Sequence, residues 1–399
     1  MSQPVRKNIA ELHPELSEKG CYSLLVDGTN LLRISFTDPK VNTDGVHYGG
    51  VFQFLLQLKI MLMKKEFDYV YVFFDDEDSG ILRYQIYNDY KANRDKNYAD
   101  KVTDTSDYMK AYNAKLKAMQ NAIYGKAKKQ KIDKPLSDQE KLVKENFARE
   151  REILMKYFNE LYIRWIFDEE TEGDDLIAYY VKNKKPSDKV VIVSADEDLT
   201  QLISDTVCIY NPRLKTFVSH KNFKDLKGFV HENVVLKKIF CGDTSDNIGN
   251  IEGLSENRLY ELMPEIKERP VTINEVKERA VQKIEERKSE KKKPLKWHEN
   301  IVNGVSKKNY DGDFYEINQK IIDLSNPLLT DTAKEEMDVT MYAPMDPDGR
   351  SLSNLYQYIL EDNITDLKNS DKFSTFFSHF KPLIDKEIKR FKEYMSKNK

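Results

Sequence analysis

Three short stretches of the chain are apolar almost throughout: Tyr22–Asp27, Tyr69–Asp75 and Val190–Asp196. Each is rich in β-branched, aliphatic or aromatic residues. That is the pattern of a strand covered on both faces, as in a parallel sheet. Between the first two, Val51–Lys64 has the spacing of an amphipathic helix, and Asp174–Asn183 reads as another before the third. Strands alternating with helices predict an α/β fold, with a central, mostly parallel sheet flanked by helices and right-handed crossovers. Residues 141–165 read as a helix leading back into the sheet.

Four regions follow from the same pattern. Residues 1–20 are a polar, flexible arm, and 21–230 hold the α/β core, including a basic insertion at 91–150. Residues 231–370 are mostly helical, with a charged insertion at 265–300. Residues 371–399 form an amphipathic tail, with Phe376, Phe377, Phe380, Leu383, Ile384, Ile388 and Phe391 at helical spacing. The stretch 91–134 carries twelve Lys and Arg against five Asp, with four tyrosines interleaved. Such a segment suits an electrostatic guide for nucleic acid, although a solvated face has the same composition.

Composition narrows the class. Of 399 residues, 40% are hydrophobic and 33% charged, so a disordered tail protein is excluded. No uncharged apolar run reaches the ~20 residues that span a bilayer, and the start has no apolar signal segment. Three scattered cysteines, never in a CxxC, argue against disulfides and structural zinc, and a reducing cytoplasm is expected. The net charge of −3 hides a strong local asymmetry.

The acids carry the chemistry. Asp27, Asp75 and Asp196 end the three predicted strands, and ligands bind at that edge of a parallel sheet. Asp198 follows closely. Glu172, Asp174 and Asp175 open a predicted helix, and Asp243 and Asp246 share a face if their segment is helical. Each acid alone reads as a turn former or helix cap, and Thr171 with Asp174 forms a loose capping box. That reading gives no reason for so many to meet at one edge. Crowded carboxylates repel unless cations sit among them, and hard divalent ions are the natural solution: two Mg²⁺ or Mn²⁺. Two such ions serve phosphodiester hydrolysis without a catalytic histidine. A helix over 83–94 would place Arg83, Tyr87, Tyr90, Lys91 and Arg94 on one cationic, aromatic face. The glycine-bearing stretch with Gly249 and Gly253 can offer N–H groups to phosphate and carbonyls to a monovalent cation.

Taken in order, LLVDGTNLL, FFDDEDSGILRYQIYNDYKANR, EGDDLIA, VVIVSADEDLTQL and GDTSDNIGNIEGL resemble the 5′-nuclease (flap endonuclease) superfamily. The resemblance covers roughly 22–260. It implies a PIN-like nuclease core, a basic helical arch at the 91–134 insertion and a helix–three-turn–helix that grips duplex DNA. It implies first-metal ligands at Asp27, Asp75, Glu172 and Asp174, with Asp175 acting through water. It implies second-metal acids at Asp196, Asp198, Asp243 and Asp246. Lys91 and Arg94 match the residues that contact the scissile phosphate, Tyr90 a base-stacking position, and the 242–255 hairpin a K⁺ site. This chain has Ser255 where the family hairpin commonly has glycine. The expected function is a structure-specific 5′→3′ exonuclease and flap endonuclease that removes RNA primers and 5′ flaps. The expected partners are branched or RNA-primed duplex DNA, and a single-strand DNA-binding protein or sliding clamp on the tail, with no membrane and a monomeric state. The rival readings are a PIN-like single-strand endoribonuclease and a non-catalytic replication protein.

Overall fold

A computed structural model describes residues 20–76, 79–92 and 138–398. The N-terminal arm, Arg94 and nearly all of the basic 91–134 insertion lie outside the described residues. In chain order the elements are β1 (Tyr22–Asp27), α1 (Gly28–Ser35), α2 (Gly49–Lys64), β2 (Tyr69–Asp75), α3 (Ile81–Ile86), α4 (Asp138–Glu160), β3 (Arg164–Asp168), α5 (Gly173–Asn183) and β4 (Lys189–Val193). Two short strands follow, β5 (Val207–Asn211) and β6 (Thr216–Val218). The remaining helices are α6 (Phe223–Lys227), α7 (Val234–Cys241), α8 (Glu256–Leu262), α9 (Ile273–Ser289), α10 (Lys296–Asn303), α11 (Phe314–Ile322), α12 (Asp331–Thr340), α13 (Leu352–Glu361), α14 (Ser370–Phe377) and α15 (Lys381–Lys397).

The described residues form two compact units. The first holds residues up to Ser79, Lys141–Ser219 and the chain from Leu329 onward; the second holds the rest. The expected regions 231–370 and 371–399 are therefore divided differently: everything beyond Leu329 belongs with the sheet. The reason is packing, because Leu355, Ile359, Phe376, Phe377, Phe380 and Leu383 are buried in the same core as the strands.

The sheet of the first unit has the order β3-β2-β1-β4-β5-β6, parallel except for β6 at one edge. Alternation along the strands builds two apolar faces. Leu24 and Val26, Val70, Val72 and Phe74, and Val191 and Val193 point to one face, with α2, α4 and the tail helices. Ser23, Tyr71 and Phe73 belong to the other, where the Ser23 hydroxyl lies 2.8 Å from that of Tyr180 on α5. Asp27 and Asp75 share this second parity. Strand β4 ends at Val193, so Asp196 lies beyond the strand rather than at its last residue.

The tail folds as an amphipathic pair. Its apolar side packs on α2, with the Phe52 and Phe376 rings 6.1 Å apart. The buried Arg164 of β3 pairs with Glu387 of α15 at 2.5 and 3.1 Å. That apolar face is spent on its own unit and is not available to the partner docking expected of the tail. Among the described residues no helix is long and apolar enough to cross a membrane.

Candidate active site

Asp27 ends β1 and caps α1. Its Oδ1 accepts the Asn30 N–H at 3.0 Å, as an N-cap carboxylate should. Its Oδ2 accepts the Ser194 hydroxyl at 2.7 Å, and Ser194 Oγ in turn accepts the Asp196 N–H at 2.9 Å. The Asn30 side chain accepts the Ala195 N–H at 3.2 Å, so the start of α1 holds the loop after β4 from both sides. Gly28 allows α1 to turn directly off the strand. A Cβ there would sit 2.7 Å from Val72 Cγ1 and 2.8 Å from the Phe73 carbonyl.

Asp75 ends β2. Its N–H donates to Thr29 Oγ1 at 2.7 Å, and its Oδ1 accepts the Gly173 N–H at the first residue of α5, also at 2.7 Å. This bond brings the Glu172-Gly-Asp-Asp corner onto the strand edge. Glu172 is the N-cap residue of α5 and is buried. No side chain caps the helix, so the capping box of Thr171 and Asp174 does not form. Thr171 instead accepts the Thr330 N–H at 3.2 Å. Asp174 lies in the first turn, and Asp175 beside it is wholly buried. Asp198 opens the turn after Asp196 and donates its N–H to Asp196 Oδ1 at 2.9 Å.

The electrostatics show which of these acids meet. Burial first, then the charge of Asp75, lifts the Asp27 carboxyl to about 7, against the bonds from Asn30 and Ser194; Asp196 adds to the rise. Burial, then Asp196, Asp27, Asp75 and Glu172 in turn, holds Asp174 well above the usual carboxylate range. Two strand ends, the loop after β4 and one helix start thus bring five carboxylates near enough to raise one another at the carboxyl edge of the sheet. The set is all oxygen, anionic and partly dehydrated, which is the donor chemistry of a hard divalent cation. Protons or cations must occupy such a site near neutral pH.

The sequence reading missed the groups that hold these acids: Thr29, Asn30 and Ser194. Their signal was their place directly beside Asp27 and Asp196. It also missed Arg151 of α4, which donates to the Asp75 carbonyl at 3.2 Å and lies 3.6 Å from Asp76. Asp168 ends β3 but is a structural acid, accepting from the N–H groups of Glu170 and Thr171 and from the Thr330 hydroxyl.

The second unit holds the other predicted residues. Its loop 243–248 is closed by an antiparallel bridge between Asp243 and Ile248 and is not a helix, yet the loop still brings a carboxylate oxygen of Asp243 within 4.8 Å of one of Asp246. Despite burial, Lys238 at 2.5 Å and the Ser245 bonds hold Asp243 down at about 2. The helix expected over 83–94 stops at Ile86. Arg83 is buried and donates to the Ile321 carbonyl at 2.8 Å. Tyr90 is 2% exposed, so its ring is packed rather than offered to a base. Lys91 adopts φ 55° and donates its N–H to the Asp246 carbonyl at 2.7 Å. The Gly249 N–H is taken by the Tyr310 hydroxyl at 2.8 Å and is not offered to phosphate. Gly253 takes φ 81° in the turn before α8. Ser255 caps α8 by accepting the Arg258 N–H, a role glycine could not fill.

A family model described as the 5′-3′ exonuclease, N-terminal resolvase-like domain, matches residues 22–233, more than half of the chain. The chain belongs to the 5′-3′ exonuclease family. It is 26% identical to DNA polymerase I of Bacillus subtilis (strain 168) over 274 residues, which are 67% of this chain and 26% of that protein. It is 34% identical to a 5′-3′ exonuclease of Mycoplasmopsis pulmonis (strain UAB CTIP) over 97 residues, 24% of this chain and 33% of that one. The chain thus spans a quarter to a third of the length of these curated relatives. Among solved structures, the bacteriophage T5 D15 flap endonuclease in a pseudo-enzyme-product complex with DNA and metal ions matches with a TM-score of 0.51 at 15% identity. That match covers 92% of this chain and 99% of the T5 protein, and it establishes a shared fold. Each sequence motif that resembled the superfamily up to residue 233 lies inside the matched stretch.

Proposed function

We propose that this 5′-3′ exonuclease family member is a Mg²⁺-dependent, structure-specific 5′ nuclease that removes RNA primers and 5′ flaps during DNA replication. The observation that carries the reading is the five-carboxylate cluster at the carboxyl edge of the sheet. Asp27, Asp75, Glu172, Asp174 and Asp196 would hold two Mg²⁺ or Mn²⁺, with Asp175 acting through water. When bound, such a pair supplies hydroxide near neutral pH and stabilises the leaving oxygen of an in-line displacement.

The chain's own residues do the rest. Ser194 and Asn30 fix Asp27 and the Asp196 loop in one orientation, so the carboxylates need not reorganise when substrate arrives. The Gly173 N–H locks Asp75 against the start of α5. The motif with Lys91 and Arg94 is assigned to neutralising the phosphodiester. The 242–255 hairpin is assigned to the duplex, and K⁺ is the proposed ion there. Backbone contacts predominate in this scheme, so sequence preference should be small. Docking of a single-strand DNA-binding protein or clamp would use the outer side of α15, where Tyr394 and Met395 are exposed.

The test compares a 5′-labelled flap, a nick, an RNA-primed duplex and an unpaired RNA as substrates. Cleavage near the junction of the flap and of the primed duplex, lost in Asp196→Ala, is expected. Preference for unpaired RNA would favour the PIN-like endoribonuclease. Absence of cleavage on every substrate would leave a non-catalytic binding protein.

A further inference from the structure

Helices α9 and α10 form a hairpin that lies outside the matched family stretch and has no part in the chemistry above. A capping box of Thr272 and Glu275 starts α9, and Val276 and Ala280 are its buried stripe. The connection at the far end is ordered. Arg287 Nε donates to the Lys293 carbonyl at 2.8 Å, Lys292 N–H to the Arg287 carbonyl at 2.8 Å, and Lys291 takes φ 56°.

This tip is strongly cationic. Residues 287–296 contain Arg287, Lys288, Lys291, Lys292, Lys293 and Lys296 against the single acid Glu290. All five lysines are exposed, and Glu290 pairs with only one of them, Lys292, at 2.8 Å. Of the acids just before the tip, Glu286 is paired with Lys283 at 2.7 Å. Lys296 lies 4.0 Å from Glu252. Burial first, then Arg287 and Lys283, hold the His298 imidazole below its ordinary range, against the opposing charge of Glu261.

Helix α10 lies along the Gly253 turn, from Trp297 beside the tip to Val305 past its end. A Cβ on Gly253 would lie 3.3 Å from Trp297 Cβ, and the Arg258 guanidinium sits 5.8 Å over the Trp297 ring. Asn300 donates to the Glu252 carbonyl at 2.9 Å, and the Glu252 N–H donates to the Val305 carbonyl at 2.8 Å. Lys291 is six residues from Trp297, so its backbone lies within about 20 Å of that contact, the rise of roughly six base pairs.

We propose that the α9–α10 hairpin is a second, sequence-independent grip on the duplex arm, binding phosphates within about half a helical turn of the Gly249–Gly253 turn. The inference rests on the reading of that turn as a duplex holder. A charged tip whose connection is closed by backbone bonds, on helices anchored to the turn, holds its lysines at a set distance from it. Lysines at the tip exchange counterions for phosphates, and contacts of that kind need no base readout.

The experiment is fluorescence anisotropy with flap substrates in Ca²⁺, at about 50 and 200 mM salt, on duplex arms of about 6 and 20 base pairs. The variant is Lys288→Gln/Lys291→Asn/Lys292→Gln/Lys293→Gln, with asparagine chosen for its tolerance of positive φ. On the long arm, affinity should fall roughly tenfold and the salt slope should flatten by about 2. On the short arm the fall should be clearly smaller, because so short an arm leaves few phosphates beyond the turn for the tip to meet. A quadruple Lys→Arg variant, which keeps the charge, should bind as the parent does. Lys389→Gln/Lys392→Gln on α15 should leave the arm-length dependence as it was. Equal losses on both arms, an equal loss in the arginine variant, or no loss at all would each overturn the proposal. The last of these would point the tip towards a protein partner instead. If the parent protein bound neither arm, the nuclease reading would fall with it, a result distinct from failure of the hairpin alone.

Discussion

Replacing Asp27 with asparagine separates what the carboxylate costs from what it does. Folding lifts the Asp27 carboxyl from 3.8 to about 7. The folded state therefore binds this proton more tightly than the unfolded chain does. Below about pH 4 both states are protonated and the group is neutral in effect. Above pH 7 the ionised form opposes folding by about three pKa units, on the order of 4 kcal/mol, if no cation is present. Between those limits, cation-free stability should rise as the pH falls. Asparagine is nearly isosteric; its carbonyl oxygen can still cap α1, and the Ser194 hydroxyl can turn to accept from its amide. Urea unfolding in EDTA at pH 8 should then show Asp27→Asn more stable than the parent by one to several kcal/mol, and near pH 5 the difference should shrink. Adding Mg²⁺ should stabilise the parent, by about 2.7 kcal/mol at a hundred times the dissociation constant, and the variant far less. A variant less stable than the parent at pH 8 in EDTA, with an undiminished Mg²⁺ shift, would refute the argument that burial and crowding penalise this charge.

Other consequences are independent of that one. Ser194→Ala removes the hydroxyl between Asp27 and Asp196 and should raise the Mg²⁺ concentration for half-maximal cleavage about 10- to 100-fold, with circular dichroism unchanged. Glu387→Ala leaves Arg164 buried without its partner and should cost about 3–5 kcal/mol in urea unfolding. Gly28→Ala places a Cβ against Val72 and the Phe73 carbonyl and should destabilise by about 1–3 kcal/mol, read in the same way.

The sheet was legible where burial on both faces makes a strand apolar throughout. Tyr22–Asp27 and Tyr69–Asp75 carry the same bounds in the structure as in the pattern. Strand β3 escaped because it holds Arg164, whose charge is matched by Glu387, more than two hundred residues away. Strands β5 and β6 are short and form an antiparallel pair at the sheet edge, beyond the α/β alternation. The helix over 83–94 stops at Ile86; Arg83 is buried and bonded to the Ile321 carbonyl, and the buried Tyr90 places its hydroxyl 3.5 Å from Asp246, partners distant in sequence. The tail was read as amphipathic, and it is; what its apolar side would meet depended on the core, not on the tail. At the site, acids at strand ends could be seen because the chemistry is in the side chain. Ser194 and Asn30 could not be told from ordinary loop polar residues, since their function lies only in what they hold.

The most direct measurement is calorimetric titration of the metal-free protein with Mn²⁺ at pH 7 and at pH 8.5, each in buffers of different ionisation enthalpy. A buried carboxyl poised near 7 and another raised well above its usual range must lose protons when a cation enters. Saturable binding, with proton release at pH 7 that falls at the higher pH and is lost when Asp27 and Asp174 are both asparagine, is the predicted result. Absence of saturable binding, or heats that do not depend on the buffer, would contradict the claim that these carboxylates form a cation site.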